Sequence, residues 1–274
     1  MILALVGVLA LAVAIVVGVV ALCLVQPSWT PYAVVLSFIV VATTVSKYIS
    51  PKQLMLRAVG AEVVEHDRRM LERLAALADI PTPTLGWVDS TVPNAFTAGI
   101  RRRAATIVVT SGLEKLLTEE ELEAVIAHEL AHVANRDAGV MTVASIPRTL
   151  GETLIGEQGL IFYVWMVIWW LGIPIWALGS LLTLALSRYR EYAADRGSAL
   201  LTGRPATLMS ALVKLTGEAE VPNDDLRRLG RVEALWVVPT GRTRFAVFSD
   251  HPPLERRLAR LAEMARQMGT PVGP

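Results

Sequence analysis

The sequence predicts a mainly α-helical protein with a small β-sheet, an α+β fold that is integral to a membrane through transmembrane helices. Three observations predict this class. Of the 274 residues, 53% are hydrophobic, residues 1 to 46 contain no charged side chain, and residues 52 to 135 change between helical and strand-like periodicity. Soluble domains are rarely so apolar. The formal net charge of +1 excludes the large basic surface that nucleic-acid binding requires.

The first segment, residues 1 to 50, is predicted to form a transmembrane helical hairpin. Residues 2 to 25 are uncharged, and a helix of that length can cross a hydrocarbon core of about 30 Å. The turn that follows contains Trp29, which suits a membrane interface, and residues 32 to 46 form a second, shorter uncharged run. A cleaved signal peptide is the alternative interpretation. It fits less well, because no Lys or Arg precedes the apolar run and no small-x-small cleavage site follows it.

The basic residues predict the orientation in the membrane. Lys47, Lys52, Arg57 and the cluster Arg101 to Arg103 follow the hairpin, whereas the turn within the hairpin is uncharged. By the positive-inside rule, the domain after the hairpin faces the cytoplasm. We therefore expect a multi-pass protein of the cell membrane that contacts the lipid bilayer and exposes this domain on the cytoplasmic side.

The second segment, residues 51 to 137, is predicted to be a compact α+β unit. A helix opens the unit and ends before Pro81, because apolar residues recur there at helical spacing. These residues are Leu56, Val59, Val63, Leu71, Leu74, Ala75 and Leu77. Three strand-like pieces follow, at residues 84 to 88, 95 to 100 and 105 to 110. They predict a small sheet.

A second helix of this unit is predicted to begin at Thr118, since Thr118 and Glu121 have the spacing of a capping box. This helix contains the sequence HELAH. Residues four apart project from one helix face, so His128 and His132 can place imidazole nitrogens on one cation. Glu129 lies about 100° round the helix from its neighbour. It can reach a metal-bound water and is therefore the candidate general base.

A catalytic zinc site needs a third protein ligand and an open position for water. The single cysteine, Cys23, lies in the first apolar run, so the ligands must be histidines and carboxylates. Glu191 is the best candidate, because Asp195 follows it on the same helix face and can orient a ligand imidazole. We expect one Zn²⁺ per chain, bound by His128, His132 and Glu191.

The rest of the chain divides into a membrane-associated helical segment, residues 138 to 187, and a second part of the catalytic domain, residues 188 to 274. His132 and Glu191 must meet at one metal, so the chain between them crosses the membrane an even number of times. Two alternatives stay open. Either two spans lie there, the first weakened by charged residues, or the apolar run folds back as a hairpin at Gly172 to Pro174.

Helices are predicted after the apolar run at residues 189 to 201, 205 to 219 and 253 to 267. The last of these is rich in Arg and Glu on one face. Together with the HELAH helix, they make the cytoplasmic domain mainly helical.

Several motifs occur in an order that resembles the HtpX-like membrane metallopeptidases, relatives of the CAAX prenyl proteases. They are Pro93 to Phe96, the HELAH sequence with Asn135-Arg136-Asp137 after it, Ser187 to Asp195, and Asp250 to Arg257. The resemblance implies a zincin-like catalytic domain with Glu191 as the third zinc ligand. It implies that an edge strand at Asn94, Ala95 and Phe96 pairs with the substrate backbone. It also implies that His251 and Arg257 lie near the oxyanion.

Three of these residues have purely structural alternatives. Asn94 can fill the turn after Pro93, His251 can be a loop or capping residue, and Arg257 can be a surface charge on an Arg- and Leu-rich helix.

The predicted function is zinc-dependent hydrolysis of peptide bonds. Zinc lowers the pKa of bound water to about 7 and polarises the scissile carbonyl, while Glu129 removes the proton and passes it to the leaving amine. Polypeptide substrates, expected to be membrane or misfolded proteins in quality control, follow from the resemblance and the predicted placement. The alternatives are processing of one defined substrate and a non-catalytic, zinc-binding membrane scaffold or regulator.

Overall fold

The computed structural model describes residues 62–63, 68–99, 101–148, 162–217 and 252–272, with positions 17, 20, 21, 24 and 28 besides. The predicted hairpin of residues 1 to 50 therefore lies almost wholly outside the described residues, and so does His251. The chain divides into two compact units. One comprises Met1–Ser50 and Val140–Leu186, and the other comprises Pro51–Gly139 and Ser187–Pro274.

Four short strands form one sheet in the second unit. They are β1 (Glu62–Val63), β2 (Thr84–Val88), β3 (Ala95–Ala98) and β4 (Thr106–Thr110), in the order β1-β2-β4-β3. Strands β2 and β4 are parallel, and the two outer strands pair antiparallel to their neighbours. The three predicted strands are confirmed. Within the described residues, β3 is the last strand of the sheet on its side.

The helix predicted to open this unit is interrupted by a strand. Helix α1 covers Arg68–Leu77 and buries Leu71 and Leu74 as their spacing predicts, whereas Leu77 is 62% exposed. Leu56 and Val59 lie outside the described residues. Val63 was expected in the same helix, and this prediction is wrong, because Val63 belongs to β1 and pairs with Gly86 of β2. Pairing with a distant strand has overridden the local helical spacing.

After the short helix α2 (Ser111–Leu116), helix α3 (Glu119–Ala134) begins where predicted. The hydroxyl of Thr118 accepts a hydrogen bond from the amide of Glu121 at 3.3 Å, and the Glu121 carboxylate accepts from the amide of Thr118 at 2.9 Å. Helix α3 is buried along most of its length, as a helix in the middle of a core must be. The core around it includes Leu71, Leu74, Ile107, Ile126, Leu130, Leu208, Leu215 and Leu261.

The remaining helices are α4 (Asp137–Ala144), α5 (Phe162–Thr202), α6 (Pro205–Gly217) and α7 (Leu254–Met268). Helix α5 continues through Pro174, so the alternative in which the chain folds back at Gly172 to Pro174 is wrong. The helix predicted to start near residue 189 is the last part of α5. The alternative with two spans stays a prediction, since residues 149 to 161 lie outside the described ranges.

In the ranges that the structure describes, no helix combines the length and the hydropathy needed to cross a membrane.

The last third of α5 approaches α3 closely. A Cβ atom at Gly197 would lie 2.5 Å from the Cβ of Ala131, and the hydroxyl of Ser198 donates to the carbonyl of Ala124 at 2.6 Å. Small residues at such a contact let two helix backbones come together. The approach brings the side chains of α5 opposite the histidines of α3.

Candidate metal centre

Two histidines of α3 and one glutamate of α5 converge on a single point. The Nε2 atoms of His128 and His132 lie 3.2 Å apart. The Glu191 carboxylate places Oε1 3.6 Å from Nε2 of His132 and Oε2 3.7 Å from Nε2 of His128. Neighbouring ligands of a tetrahedral metal with bonds of about 2.0–2.1 Å lie roughly 3.3 Å apart. These three buried side chains therefore fit a single metal ion.

The imidazole of His128 is supported from behind by Asp195. The Oδ1 atom of Asp195 lies 3.1 Å from Nδ1 of His128. Arg257 of α7 donates two hydrogen bonds to the Asp195 carboxylate, from Nε at 2.9 Å and from Nη2 at 2.6 Å. The Nη1 atom of Arg257 lies 3.5 Å from Oε2 of Glu191. All three guanidinium nitrogens of this buried arginine thus face carboxylates of the centre.

The imidazole of His132 has a carboxylate partner of its own, Asp137, which the sequence does not predict. The Oδ2 atom of Asp137 lies 2.6 Å from Nδ1 of His132, and Nε of Arg190 lies 3.3 Å from the same oxygen. Helix α3 ends at Ala134, and Arg136 adopts a left-handed φ of 57°. This turn brings the Asp137 carboxylate next to the imidazole of His132. In the sequence, this role is indicated by a carboxylate that lies five residues after the second histidine and follows Asn135, which ends the helix.

Glu129 is buried next to the metal ligands. The hydroxyl of Thr97, on β3, donates to Oε2 of Glu129 at 2.8 Å. Burial raises the pKa of Glu129, and the nearby histidines and the Thr97 hydrogen bond offset part of that rise. A raised pKa makes the carboxylate a stronger base, as the role of general base requires.

The pKa shifts of two other groups describe the electrostatics of the centre. Burial by itself lowers the pKa of His128, but the carboxylates of Asp195 and Glu191 outweigh it and raise this pKa to about 9. Burial raises the pKa of Asp195, but the positive charge of Arg257 holds it below its usual range. Since metals bind only the neutral imidazole, a cation competes with a proton at His128.

Four buried carboxylates and two guanidinium groups surround the two histidines in the described part of the chain. The carboxylates are those of Glu129, Asp137, Glu191 and Asp195, and the guanidinium groups are those of Arg190 and Arg257. A divalent cation between the three ligands would add positive charge among these carboxylates.

The three residues implied as a substrate-binding edge lie at the start of β3. The amide of Asn94 donates to the hydroxyl of Thr110 at 2.8 Å, and the carbonyl of Asn94 accepts from the amide of Thr110 at 3.0 Å. The Asn94 side chain is 1% exposed, and its amide group has no hydrogen-bond partner among the described residues. Ala95 and Phe96 are buried, each paired with β4.

Comparison with known proteins defines the family. Residues 65 to 265 match peptidase family M48. The chain is 40% identical over 265 residues to "Protease HtpX homolog 2" of Methanosarcina acetivorans, with 88% of each chain covered. It is 38% identical over 260 residues to "Protease HtpX homolog" of Moorella thermoacetica, with 86% of each chain covered. It is 36% identical over 272 residues to "Protease HtpX homolog 1" of Streptomyces coelicolor, covering 90% of this chain and 86% of the relative.

Among solved structures, the crystal structure of S. mikatae Ste24p has a similar fold. The TM-score is 0.58 at 19% sequence identity, and the match covers 92% of this chain and 64% of the Ste24p chain. This chain thus spans less than two thirds of that protein, and the likeness concerns the fold.

A HELAH helix, a distant glutamate facing it and a small sheet beside it define a metalloprotease. The chain belongs to peptidase family M48. The resemblance to the HtpX-like metallopeptidases is confirmed.

Proposed function

We propose that this protein is a zinc-dependent endopeptidase of the cell membrane that cleaves membrane or misfolded proteins on the cytoplasmic side. The convergence of His128, His132 and Glu191 beside Glu129 carries the proposal. Two imidazoles and one carboxylate are a ligand set that catalytic zinc sites use.

Each residue of the centre has a distinct role in the proposed reaction. Zinc, when bound, supplies a Lewis acid that polarises the scissile carbonyl and activates water. Glu129 accepts a proton from the attacking water at a carboxylate oxygen and delivers it to the leaving amine nitrogen. Asp195 and Asp137 fix the orientation of the two ligand imidazoles through their Nδ1 atoms.

The contacts of Arg257 change its proposed role. The resemblance implied a place near the oxyanion, but the guanidinium group is engaged by Asp195 and lies against Glu191. We therefore propose that Arg257 holds these two carboxylates in position. His251, whose position lies outside the described residues, remains the proposed donor to the oxyanion.

A polypeptide substrate is proposed to bind in extended form along β3. Within the described residues β3 pairs with β4 alone, and strand addition at its other edge would require the groups that cover Ala95, Phe96 and Ala98 to move aside. Once uncovered, the Asn94 amide group would offer a donor and an acceptor to such a segment. Hydrogen bonds to the substrate backbone do not depend on the substrate side chains, which supports a broad range of substrates.

The proposed membrane anchor is the hairpin of residues 1 to 50, followed by the segment of residues 138 to 187. The basic residues after the hairpin support a catalytic domain on the cytoplasmic side. A protease held at this surface can meet unfolded segments of membrane proteins, which supports a part in quality control.

Replacement of Glu129 by Gln tests the proposal. Full-length protein, purified in detergent and loaded with zinc, should bind one zinc ion per chain in both forms. Cleavage of casein by Glu129→Gln should fall by about 10²–10⁴-fold. Glu120→Gln changes an exposed carboxylate on the same helix and should cleave like the wild type.

The outcomes separate the alternatives. Wild-type cleavage by Glu129→Gln would contradict the assigned mechanism. A zinc-loaded wild-type protein that cleaves no protein would favour the scaffold or regulator. Many unrelated cleavage products in membranes support quality control, whereas a single product supports the processing of one defined substrate.

A further inference from the structure

Thr97 links strand β3 to the buried Glu129. Its hydroxyl lies 2.8 Å from Oε2 of Glu129 and 3.3 Å from the carbonyl oxygen of the same residue. One hydroxyl has one proton to donate, so the shorter contact with the carboxylate is the principal hydrogen bond. Thr97 is the partly exposed residue of β3, whereas Ala95, Phe96 and Ala98 are buried.

This contact is a product of tertiary packing. Thr97 and Glu129 are 32 positions apart in the chain, and they meet because β3 packs against α3. Threonine hydroxyls commonly bond to nearby backbone groups, but this one reaches a buried carboxylate. Within the described residues, Thr97 is the hydrogen-bond donor to the Glu129 side chain.

A glutamate side chain has three rotatable bonds, so proximity alone does not fix its carboxylate. A hydrogen bond to Oε2 restricts these rotations and leaves the other oxygen to take a proton from water. We propose that Thr97 is a positioning residue, whose hydroxyl holds the Glu129 carboxylate in the orientation that proton transfer requires. This inference rests on the proposed role of Glu129 as general base.

Thr106 provides a matched control on the neighbouring strand. It pairs with Ala98 across the sheet and is 1% exposed, and its hydroxyl has no hydrogen-bond partner in the described part of the chain. Replacement of either threonine by valine removes a hydroxyl from the same sheet at nearly constant volume. Only the change at Thr97 removes a contact with Glu129.

The test uses full-length, zinc-loaded protein carrying Thr97→Val, Thr97→Ser or Thr106→Val. Each variant is characterised by kcat and KM on fluorescent casein, by zinc content and by thermal unfolding. We expect Thr97→Val to lower kcat by about 10- to 100-fold, with KM and zinc content unchanged and the protein still folded at the assay temperature. Thr97→Ser keeps the hydroxyl and should restore most of the kcat, and Thr106→Val should match the wild type.

Several results would overturn the role of Thr97. They are a wild-type kcat in Thr97→Val, a change confined to KM, a serine variant as slow as the valine variant, or a loss of activity that follows a loss of zinc or thermal stability. Glu129→Gln, assayed in parallel, keeps the two proposals apart. An active Glu129→Gln contradicts the proposed function, whereas an inactive Glu129→Gln beside a fully active Thr97→Val contradicts the role of Thr97 alone.

Discussion

The two halves of α3 differ in the groups that contact their buried side chains. In the amino-terminal half, residues 119 to 126, Glu121 accepts hydrogen bonds from Lys214 at 2.7 Å and from Ser210 at 2.6 Å. Glu123 pairs with Arg204 at 2.9 Å and also with Arg73. In the carboxyl-terminal half, residues 127 to 134, Glu129 accepts a hydrogen bond from the hydroxyl of Thr97, and the histidines face the carboxylates of Asp137, Glu191 and Asp195.

The partners of the two halves also differ in exposure. The side chains of Lys214 and Arg204 are 38% and 46% exposed, so these cations reach in from solvent. The side chain of Arg257 is 4% exposed, and it is fixed by the core. Burial of a carboxylate is therefore a poor sign of catalysis by itself. The informative sign is a buried carboxylate beside convergent metal-ligating side chains, as Glu129 is beside His128 and His132.

The largest effect on stability is expected from removal of the buried arginine. Arg257→Met leaves Asp195 and Glu191 without their cation, which should lower the free energy of unfolding by about 3–5 kcal/mol. Thermal unfolding of the metal-free protein in detergent measures this change. Arg266 on the same helix pairs with the exposed Glu263, and Arg266→Met should leave the midpoint unchanged. An unchanged midpoint in Arg257→Met would instead favour the oxyanion role.

A smaller and more local effect is expected from Asp137→Asn. The substitution weakens the contact between residue 137 and Nδ1 of His132. Loss of a carboxylate that orients a ligand imidazole commonly lowers metal affinity by about 10- to 100-fold. Competition for zinc with a chelator of known affinity measures the change. Asp79→Asn alters an exposed carboxylate beyond α1 and is the control. Equal zinc affinity of Asp137→Asn and the wild type would show that His132 needs no support.

The smallest effect is expected from Glu121→Gln in the amino-terminal half. It weakens the contacts with Lys214 and Ser210 and should lower the free energy of unfolding by about 1 kcal/mol near pH 7, because Lys214 is partly solvated. Zinc affinity should stay at the wild-type value. A fall in zinc affinity as large as that of Asp137→Asn would contradict the contrast between the two halves.

The pH dependence of this last effect follows from the pKa of Glu121. Burial raises this pKa, but the hydrogen bonds from Lys214, Ser210 and the Thr118 amide outweigh it and hold it below its ordinary value of 4.5. The stabilisation is therefore present above pH 4.5 and lost as the pH falls through the lowered pKa. The wild type and Glu121→Gln should unfold at increasingly similar temperatures in acid.

Local patterns predicted the parts of the structure that depend on local physics. The capping box fixed the start of α3, and the spacing of four residues placed His128 and His132 on one face. Val63 was assigned to the wrong element, since strand pairing with Gly86 is not local. The fold-back at Gly172 to Pro174 was one of two alternatives that the sequence left open, and it is wrong because α5 continues through Pro174.

The partners of the metal ligands needed three-dimensional information. Asp195 could be proposed because it shares a helix face with Glu191. Asp137 and Arg190 could not, because Asp137 reaches His132 only after a helix ends, and Arg190 reaches Asp137 only when a distant helix packs there. The contact of Thr97 with Glu129 could not be predicted for the same reason, since it depends on the packing of β3 against α3.

The end of α3 sets a condition for anyone who would graft this centre onto another scaffold. If the helix continued past His132, residue 137 would lie about 7.5 Å further along the axis and about 140° round it, where its carboxylate faces away from the imidazole. The left-handed turn at Arg136 removes that separation. The shortest segment that could be transferred is therefore longer than the HELAH sequence, because it has to include the end of the helix and Asp137.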